Sequence, residues 1–252
     1  MKLLVSVVDY GEACEAVEGG ADIVDVKNPM EGPLGANFPW VIREIRRKVP
    51  ANVELSATIG DLQNLPGTAA LAALGAAESG ADYVKAGLLG PRTSKDGVLL
   101  MAAICRAVKD LNPRTRVIAA GYADYKSIGS LNPALLPEVA SDSGADGILV
   151  DIFAKHHRKL FDYITEREAS SLVKRAHDVG VTVALAGLLS IEDIERSYRL
   201  GADIFGVRKS ACDGGDRLRG RVRKQCVARL SDAIRSLPNS SKVLEMPPAT
   251  IG

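Results

Sequence analysis

The sequence predicts an α/β protein built as a single TIM-type (β/α)8 barrel, and three observations predict it. The tripeptide Gly-Ala-Asp occurs four times, starting at Gly20, Gly80, Gly144 and Gly201, at intervals of 60, 64 and 57 residues. Each copy opens a short apolar run that ends in charge: Asp25 and Lys27, Lys85, Asp151, and Arg208. Every second strand of an eight-fold barrel would produce that period. Strand and helix patterns also alternate along the chain, as α/β packing requires. The length of 252 residues is close to the ~250 typical of the fold. An open doubly wound sheet is the competing architecture, but no G-x-G-x-x-G follows the first strand.

Eight strand–helix units are expected in order. Strand 1 covers residues 3–8, and its helix carries Glu12, Ala13, Ala16 and Val17. Strand 2 covers 22–27, followed by a Pro- and Gly-rich loop over 28–35 and a helix over 39–49. Strand 3 covers 53–58, then an Ala-rich helix 67–79; strand 4 covers 82–86, then a helix 96–111. Strand 5 covers 116–121, with a helix over 133–143. Strand 6 covers 147–151, and its helix starts at Thr165, where Thr165-Glu166-Arg167-Glu168 forms a capping box. Strand 7 covers 181–186 with a helix after Ser190, and strand 8 covers 203–207 with a last helix over 217–236. The strands are nearly continuous apolar runs, because helices cover one face and a filled barrel covers the other. Residues 1–236 form the barrel domain; 237–252, with Pro247-Pro248, read as a loose tail. The Gly-Ala-Asp copies themselves have a structural reading. Gly ends a helix, Ala packs, and Asp opens the next strand at the bottom of the barrel.

Composition narrows the function classes. Hydrophobic content of 46% supplies a core, while aromatics at 4% are too few for a stacking surface. A net charge of +1 gives no global field for nucleic acid or membrane. Arg217, Arg219, Arg221, Arg223 and Lys224 form a basic stretch, but Leu218, Val222, Val227, Leu230 and Ile234 run through it at helical spacing. The expectation is an amphipathic covering helix with a solvated basic face. Four dispersed cysteines and the lack of a leader or membrane-length apolar run point to reduced thiols in the cytoplasm. An apolar outer helix face is compatible with a homo-oligomer. His156 and His157 are adjacent, point in different directions and lack a partner at metal spacing, so they read as loop residues and no metal is expected.

The chemistry lies at the opposite ends of the strands. Side chains alternate, so Asp25 and Lys27 share a face with Ile23, ~7 Å apart by the rise per residue. A solvated surface pair is the competing reading. Val24 and Val26 oppose it, being equally apolar and needing to pack outward. An inward charged pair is tolerated only if partnered. Counted from its Gly-Ala-Asp, Lys85 stands level with Asp25, two residues deeper than Lys27, while Asp151 stands level with Lys27. A second ammonium and a poorly solvated interior both disfavour protonation, leaving an amine able to attack a carbonyl. Lys85 could instead be the buried structural partner of Asp25. Asp151, followed by Lys155, could shuttle protons. Strands 7 and 8 end in Gly187-Leu188 and Gly206-Val207-Arg208. In barrels this quarter often binds phosphate, with glycines giving backbone access and Arg a bidentate donor.

The segment Asp22-Ile23-Val24-Asp25-Val26-Lys27-Asn28-Pro29, continuing through Glu31-Gly32, Leu34-Gly35-Ala36-Asn37 and Pro39-Trp40-Val41-Ile42, resembles the (5-formylfuran-3-yl)methyl phosphate synthase family of methanofuran biosynthesis. Tyr83-Val84-Lys85-Ala86-Gly87-Leu88, Asp151 with Lys155, and Leu160-Phe161-Asp162 extend the likeness, which spans roughly residues 1–236. The resemblance implies a barrel lyase that condenses two glyceraldehyde 3-phosphate molecules with loss of phosphate and water. It implies Lys27 as the Schiff-base lysine, Lys85 as the acid/base lysine, and Asp25, Asp151 and Lys155 as further site residues. Ile152-Phe153-Ala154 and His156-His157-Arg158 depart from the polar residues expected around Lys155. The implied partner is a small phosphorylated aldehyde, with no cofactor. Two readings compete: another class I aldolase-type lyase, and a phosphate-ligand-binding barrel without enzymatic activity.

Overall fold

The computed structural model describes residues 1–155 and 158–238. Eight parallel strands close into a barrel in sequence order. They are β1 (Lys2–Val7), β2 (Ile23–Val26), β3 (Glu54–Leu62), β4 (Tyr83–Leu88), β5 (Arg116–Tyr122), β6 (Gly147–Asp151), β7 (Thr182–Leu185) and β8 (Ile204–Val207). The covering α-helices are α1 (Tyr10–Glu18), α2 (Pro39–Lys48), α3 (Pro66–Glu78), α4 (Ser94–Leu111), the single turn α5 (Tyr125–Ile128), α6 (Leu136–Ser143), α7 (Glu166–Asp178), α8 (Ile194–Arg199) and α9 (Lys224–Arg235). The predicted fold class is the observed one. No helix among the described residues is long and apolar enough to cross a membrane.

Two apolar cores follow from strand alternation. Val24 and Val26 point outward into the shell beneath the helices, whereas Ile23 joins Leu4, Tyr83, Ile118, Leu149 and Ile204 inside the barrel. The barrel floor is polar but satisfied: Glu54 pairs with Lys2 and Arg116 and accepts from the Tyr83 hydroxyl at 3.0 Å.

The Gly-Ala-Asp repeat builds that closed end. Each glycine adopts a positive φ, between 77° and 97°, which L side chains adopt only with strain. The alanine N–H that follows donates back into the helix just ended, as Ala21 does to Ala16 O at 3.0 Å and Ala145 to Ala140 O at 2.9 Å. Each aspartate then does two things at the start of an even-numbered strand. Its N–H donates to the preceding odd strand, and its carboxylate accepts from the same residue's N–H. Asp22 thereby holds Leu3, Asp82 holds Leu55, Asp146 holds Val117 and Asp203 holds Val183, with N–H to carboxylate distances of 2.7–2.8 Å.

Three expectations are corrected. β3 runs on to Leu62 instead of stopping at residue 58, with a register irregularity between Thr58 and Asp61 against β4. The helix expected over 133–143 is broken, because Asn132 caps a short 3₁₀ turn, Pro133–Leu135, ahead of α6. The last helix starts at Lys224, not at 217. Asp216 takes the Leu218 and Arg219 N–H groups into a turn, so Leu218 is exposed and belongs to no helical stripe. The capping box at Thr165 forms as expected. His156, His157 and residues 239–252 of the expected tail lie outside the described residues.

Candidate active site

Lys27 follows β2 directly, and its side chain turns into the mouth at the C-terminal ends of the strands. The loop after it folds back over the mouth. Asn28 N donates to Gly35 O, Thr58 Oγ1 donates to the same carbonyl at 2.7 Å, and Leu34 is buried against the inner core. This sets the Pro33 carbonyl 3.1 Å from Lys27 Nζ. Lys27 is 7% exposed. Burial pulls its pKa down to about 7, against the opposing pull of Asp25 and Asp151 and with help from the Lys155 and Lys85 charges.

The other two lysines of the mouth are each held by a carboxylate. Lys85 Nζ lies 2.7 Å from Asp25 Oδ1, both side chains being buried. Ser6 Oγ donates to the other Asp25 oxygen at 2.9 Å. Burial works against the Asp25 carboxylate, but Lys85, Lys27 and Ser6 together hold its pKa below the usual range. Lys155 ion-pairs with Asp151, which also accepts from Ile152 N at 2.7 Å. Burial likewise opposes charge on Asp151, and the Lys155 and Lys27 ammonium groups outweigh it. Burial lowers the Lys155 pKa in spite of that partner. Among the described residues, Lys27 is therefore the one buried lysine of the mouth with no carboxylate at ion-pair distance.

The structure brings all nine predicted site residues to one cavity: Asp25, Lys27, Lys85, Asp151, Lys155, Gly187, Leu188, Gly206 and Arg208. The β6–β7 ladder ends where Ala186 N donates to Val150 O, and the chain then turns through Gly187 and Leu188 at φ 113° and 55°. Leu188 is the one non-glycine residue at positive φ among the described residues. A side chain held there costs about 1–3 kcal/mol, and such strain clusters at functional sites. At Gly187 a Cβ would also crowd Leu160 at 3.2 Å.

Arg208 reaches the cavity with its donors already engaged. Nη1 donates to Glu12 Oε2 at 2.8 Å and to Ser6 O at 3.0 Å, and Nε donates to Arg217 O at 2.7 Å. Glu12 is 1% exposed and also accepts from Val8 N at 3.0 Å. Arg208→Ala leaves that carboxylate with only the partly exposed Arg221, whose Nε lies 3.6 Å from Oε1, as counter-charge among the described residues, so it should lower unfolding free energy by about 3 kcal/mol. A urea melt of the variant checks this; an unchanged midpoint would show that the pair carries no structural weight.

Sequence reasoning missed Asp61 and Tyr122. The Tyr122 hydroxyl donates to Asp61 Oδ1, and Leu34 N donates to Oδ2 at 3.3 Å. Burial raises the Asp61 pKa, and these two hydrogen bonds only partly offset it. The Gly87 backbone passes so close that a Cβ there would meet Tyr122 Oη at 2.2 Å. The alternation Gly60-Asp61-Leu62, had β3 been carried past Thr58, was the available signal. Glu12 carried none: it resembled any polar residue of a covering helix.

A larger cleft opens at the other end of the barrel, beside Lys2, Tyr83 and Arg116. Its charged wall is the satisfied Glu54 cluster, on the face that stabilises barrels rather than the one that houses catalysis. The mouth, with its unmatched buried amine, is the candidate site.

Comparison with known proteins bears on the fold and the family. Among solved structures, 3-hexulose-6-phosphate synthase from Salmonella typhimurium matches with a TM-score of 0.66 at 17% identity, over 93% of this chain and 99% of that one. Phosphoribosyl anthranilate isomerase from Thermus thermophilus matches with a TM-score of 0.59 at 16% identity, over 94% of this chain and 100% of that one. These likenesses speak to the barrel alone. The (5-formylfuran-3-yl)methyl phosphate synthase of Methanopyrus kandleri is 52% identical over 92% of this chain and 98% of its own length. That of Methanosarcina mazei is 51% identical over 91% and 97%. The family model for 4-HFC-P synthase matches residues 3–231. By these matches the chain is an enzyme and belongs to the 4-HFC-P synthase family.

Proposed function

We propose that the mouth condenses two molecules of glyceraldehyde 3-phosphate into (5-formylfuran-3-yl)methyl phosphate. One phosphate and two waters leave, which balances the atoms. The reading rests on the relatives' names and on one observation: of Lys27, Lys85 and Lys155, only Lys27 has no carboxylate at ion-pair distance among the described residues, and burial lowers its pKa to about 7. Its neutral amine attacks the aldehyde carbon of the first molecule. The resulting carbinolamine loses water to a protonated imine, an electron sink that acidifies the neighbouring C–H. Asp61, whose carboxyl pKa burial raises, suits the role of proton donor to the departing hydroxyl. Lys85, poised on Asp25, and the Asp151–Lys155 pair move the protons of carbon–carbon bond formation and elimination. Gly187, Leu188, Gly206 and Arg208 form the phosphate side of the cavity, with Arg208 contributing its charge from behind while bound to Glu12. Loss of phosphate and water then drives closure of the aromatic ring.

Two measurements test this. Incubation with glyceraldehyde 3-phosphate should give a product with furan-aldehyde ultraviolet absorbance; an aldol without that absorbance would point to an ordinary class I aldolase. The initial rate of cyanoborohydride trapping should also depend on pH with the sign set by Lys27. Lowering its pKa to about 7 leaves it mostly charged at pH 6 and mostly neutral at pH 8. Trapping should therefore rise about tenfold per unit below pH 7 and level off above it. A rate that keeps climbing toward pH 10 would identify an ordinary exposed amine instead.

A further inference from the structure

The loop between β8 and α9 brings an unmatched guanidinium to the mouth. Asp216 Oδ1 accepts from the N–H groups of Leu218 and Arg219 at 2.8 and 3.1 Å, and Gly220 N donates back to Asp216 O. Leu218 and Arg219 project into solvent, whereas Arg217 lines the cavity. Arg208 Nε fixes the Arg217 carbonyl at 2.7 Å. The base of the loop is tied by a bridge between Cys212 and Val222 and by Arg223, whose Nε donates to Asp213 at 2.9 Å. The position of Arg217 is thus braced from both sides.

Charge balance at the mouth is incomplete. Six cationic side chains line it: Lys27, Lys85, Lys155, Arg208, Lys209 and Arg217. Asp25, Asp151 and Glu12 answer Lys85, Lys155 and Arg208. Lys27 is the proposed nucleophile. Arg217 and Lys209 remain, with no carboxylate at ion-pair distance among the described residues, and two positive charges suit a phosphate dianion. Arg217 Nη2 is fully buried, yet no hydrogen-bond acceptor among the described residues meets it. Leaving such a donor unused is costly, and a planar guanidinium fork is shaped for two oxygens of one oxyanion.

We infer that Arg217 is the residue that grips the phosphoryl group of the substrate, with Lys209 and the Gly187–Leu188 backbone completing the anion site. The inference rests on the reading of the mouth as a phosphorylated-aldehyde site. It is a binding role separate from the imine chemistry, so the two can fail separately.

The test compares cyanoborohydride trapping of glyceraldehyde and of glyceraldehyde 3-phosphate in wild type, Arg217→Gln and Arg217→Lys, with melting temperatures as folding controls. Inorganic phosphate is titrated into all three by calorimetry. In wild type, the phosphorylated aldehyde should half-saturate at a much lower concentration than glyceraldehyde. Arg217→Gln should raise that concentration about 10- to 100-fold, the usual weight of charge-assisted hydrogen bonds. The effect should be confined to the phosphorylated aldehyde, Arg217→Lys should recover part of it, and phosphate affinity should fall in parallel. If Arg217→Gln keeps both its preference for the phosphorylated aldehyde and its affinity for phosphate, the assignment is overturned while the imine reading stands. If wild type traps neither aldehyde, the imine reading fails. Phosphate titration then decides Arg217 alone: lost affinity in Arg217→Gln supports it, and unchanged affinity overturns it.

Discussion

Lys27→Met will give no reducible adduct with glyceraldehyde 3-phosphate and will lose turnover by about 10³-fold or more, as expected when a covalent nucleophile is removed. Met keeps much of the length of the lysine stem, so the packing beneath the Pro33 carbonyl survives. No carboxylate loses an ion-pair partner at this position, since Asp25 keeps Lys85 and Asp151 keeps Lys155. The fold should therefore persist, and the loss should be chemical. Borohydride reduction of the wild type, followed by digestion, should place the label on the peptide containing Lys27. Label found only on Lys85 would reassign the nucleophile.

Lys85→Arg should be nearly as inactive as Lys85→Ala, yet far better folded. In the structure Lys85 is both things the sequence allowed: the 2.7 Å partner of a fully buried Asp25 and a second amine of the mouth. Lys85→Ala leaves Asp25 buried without its counter-charge, a defect worth about 3–5 kcal/mol. Arg restores positive charge but stays protonated at any usable pH, so it cannot accept a proton. If Lys85 transfers protons, the Arg variant should melt close to wild type and lose turnover by about 10²-fold or more. Near-normal turnover in that variant would make Lys85 a structural partner and nothing more.

What was legible in the sequence is what depends on near neighbours. The parity that places Asp25 and Lys27 on one face of β2 is a property of consecutive residues. So is the alignment of Lys85 and Asp151 with them, because the Gly-Ala-Asp repeat starts each even strand at the same depth. What was illegible depends on distant partners. The Arg208–Glu12 pair joins residues 196 apart, and the Tyr122–Asp61 bond joins residues 61 apart. No local pattern shows that Glu12 turns inward. Arg217 was misread for a related reason: a basic stretch with apolar residues at helical spacing imitates a helix, and only the hydrogen bonds of Asp216 show the turn that replaces it.

The aspartate contacts at the closed end of the barrel bear on how the chain can assemble. Each one fastens a strand–helix–strand quarter to itself, across 19, 27, 29 or 20 residues. Loop-closure entropy grows only with the logarithm of loop length, so these four closures differ by less than about 0.5 kcal/mol. No quarter is entropically favoured over another, and each can form from its own residues. The seam between β8 and β1 is different, because it joins the two ends of the barrel and pairs Leu4 with Gly206. The barrel is in this sense four self-fastening pieces and one long-range closure. The candidate mouth, which draws on β2, β4, β6 and the loop after β8 together, is complete only when that last seam has formed.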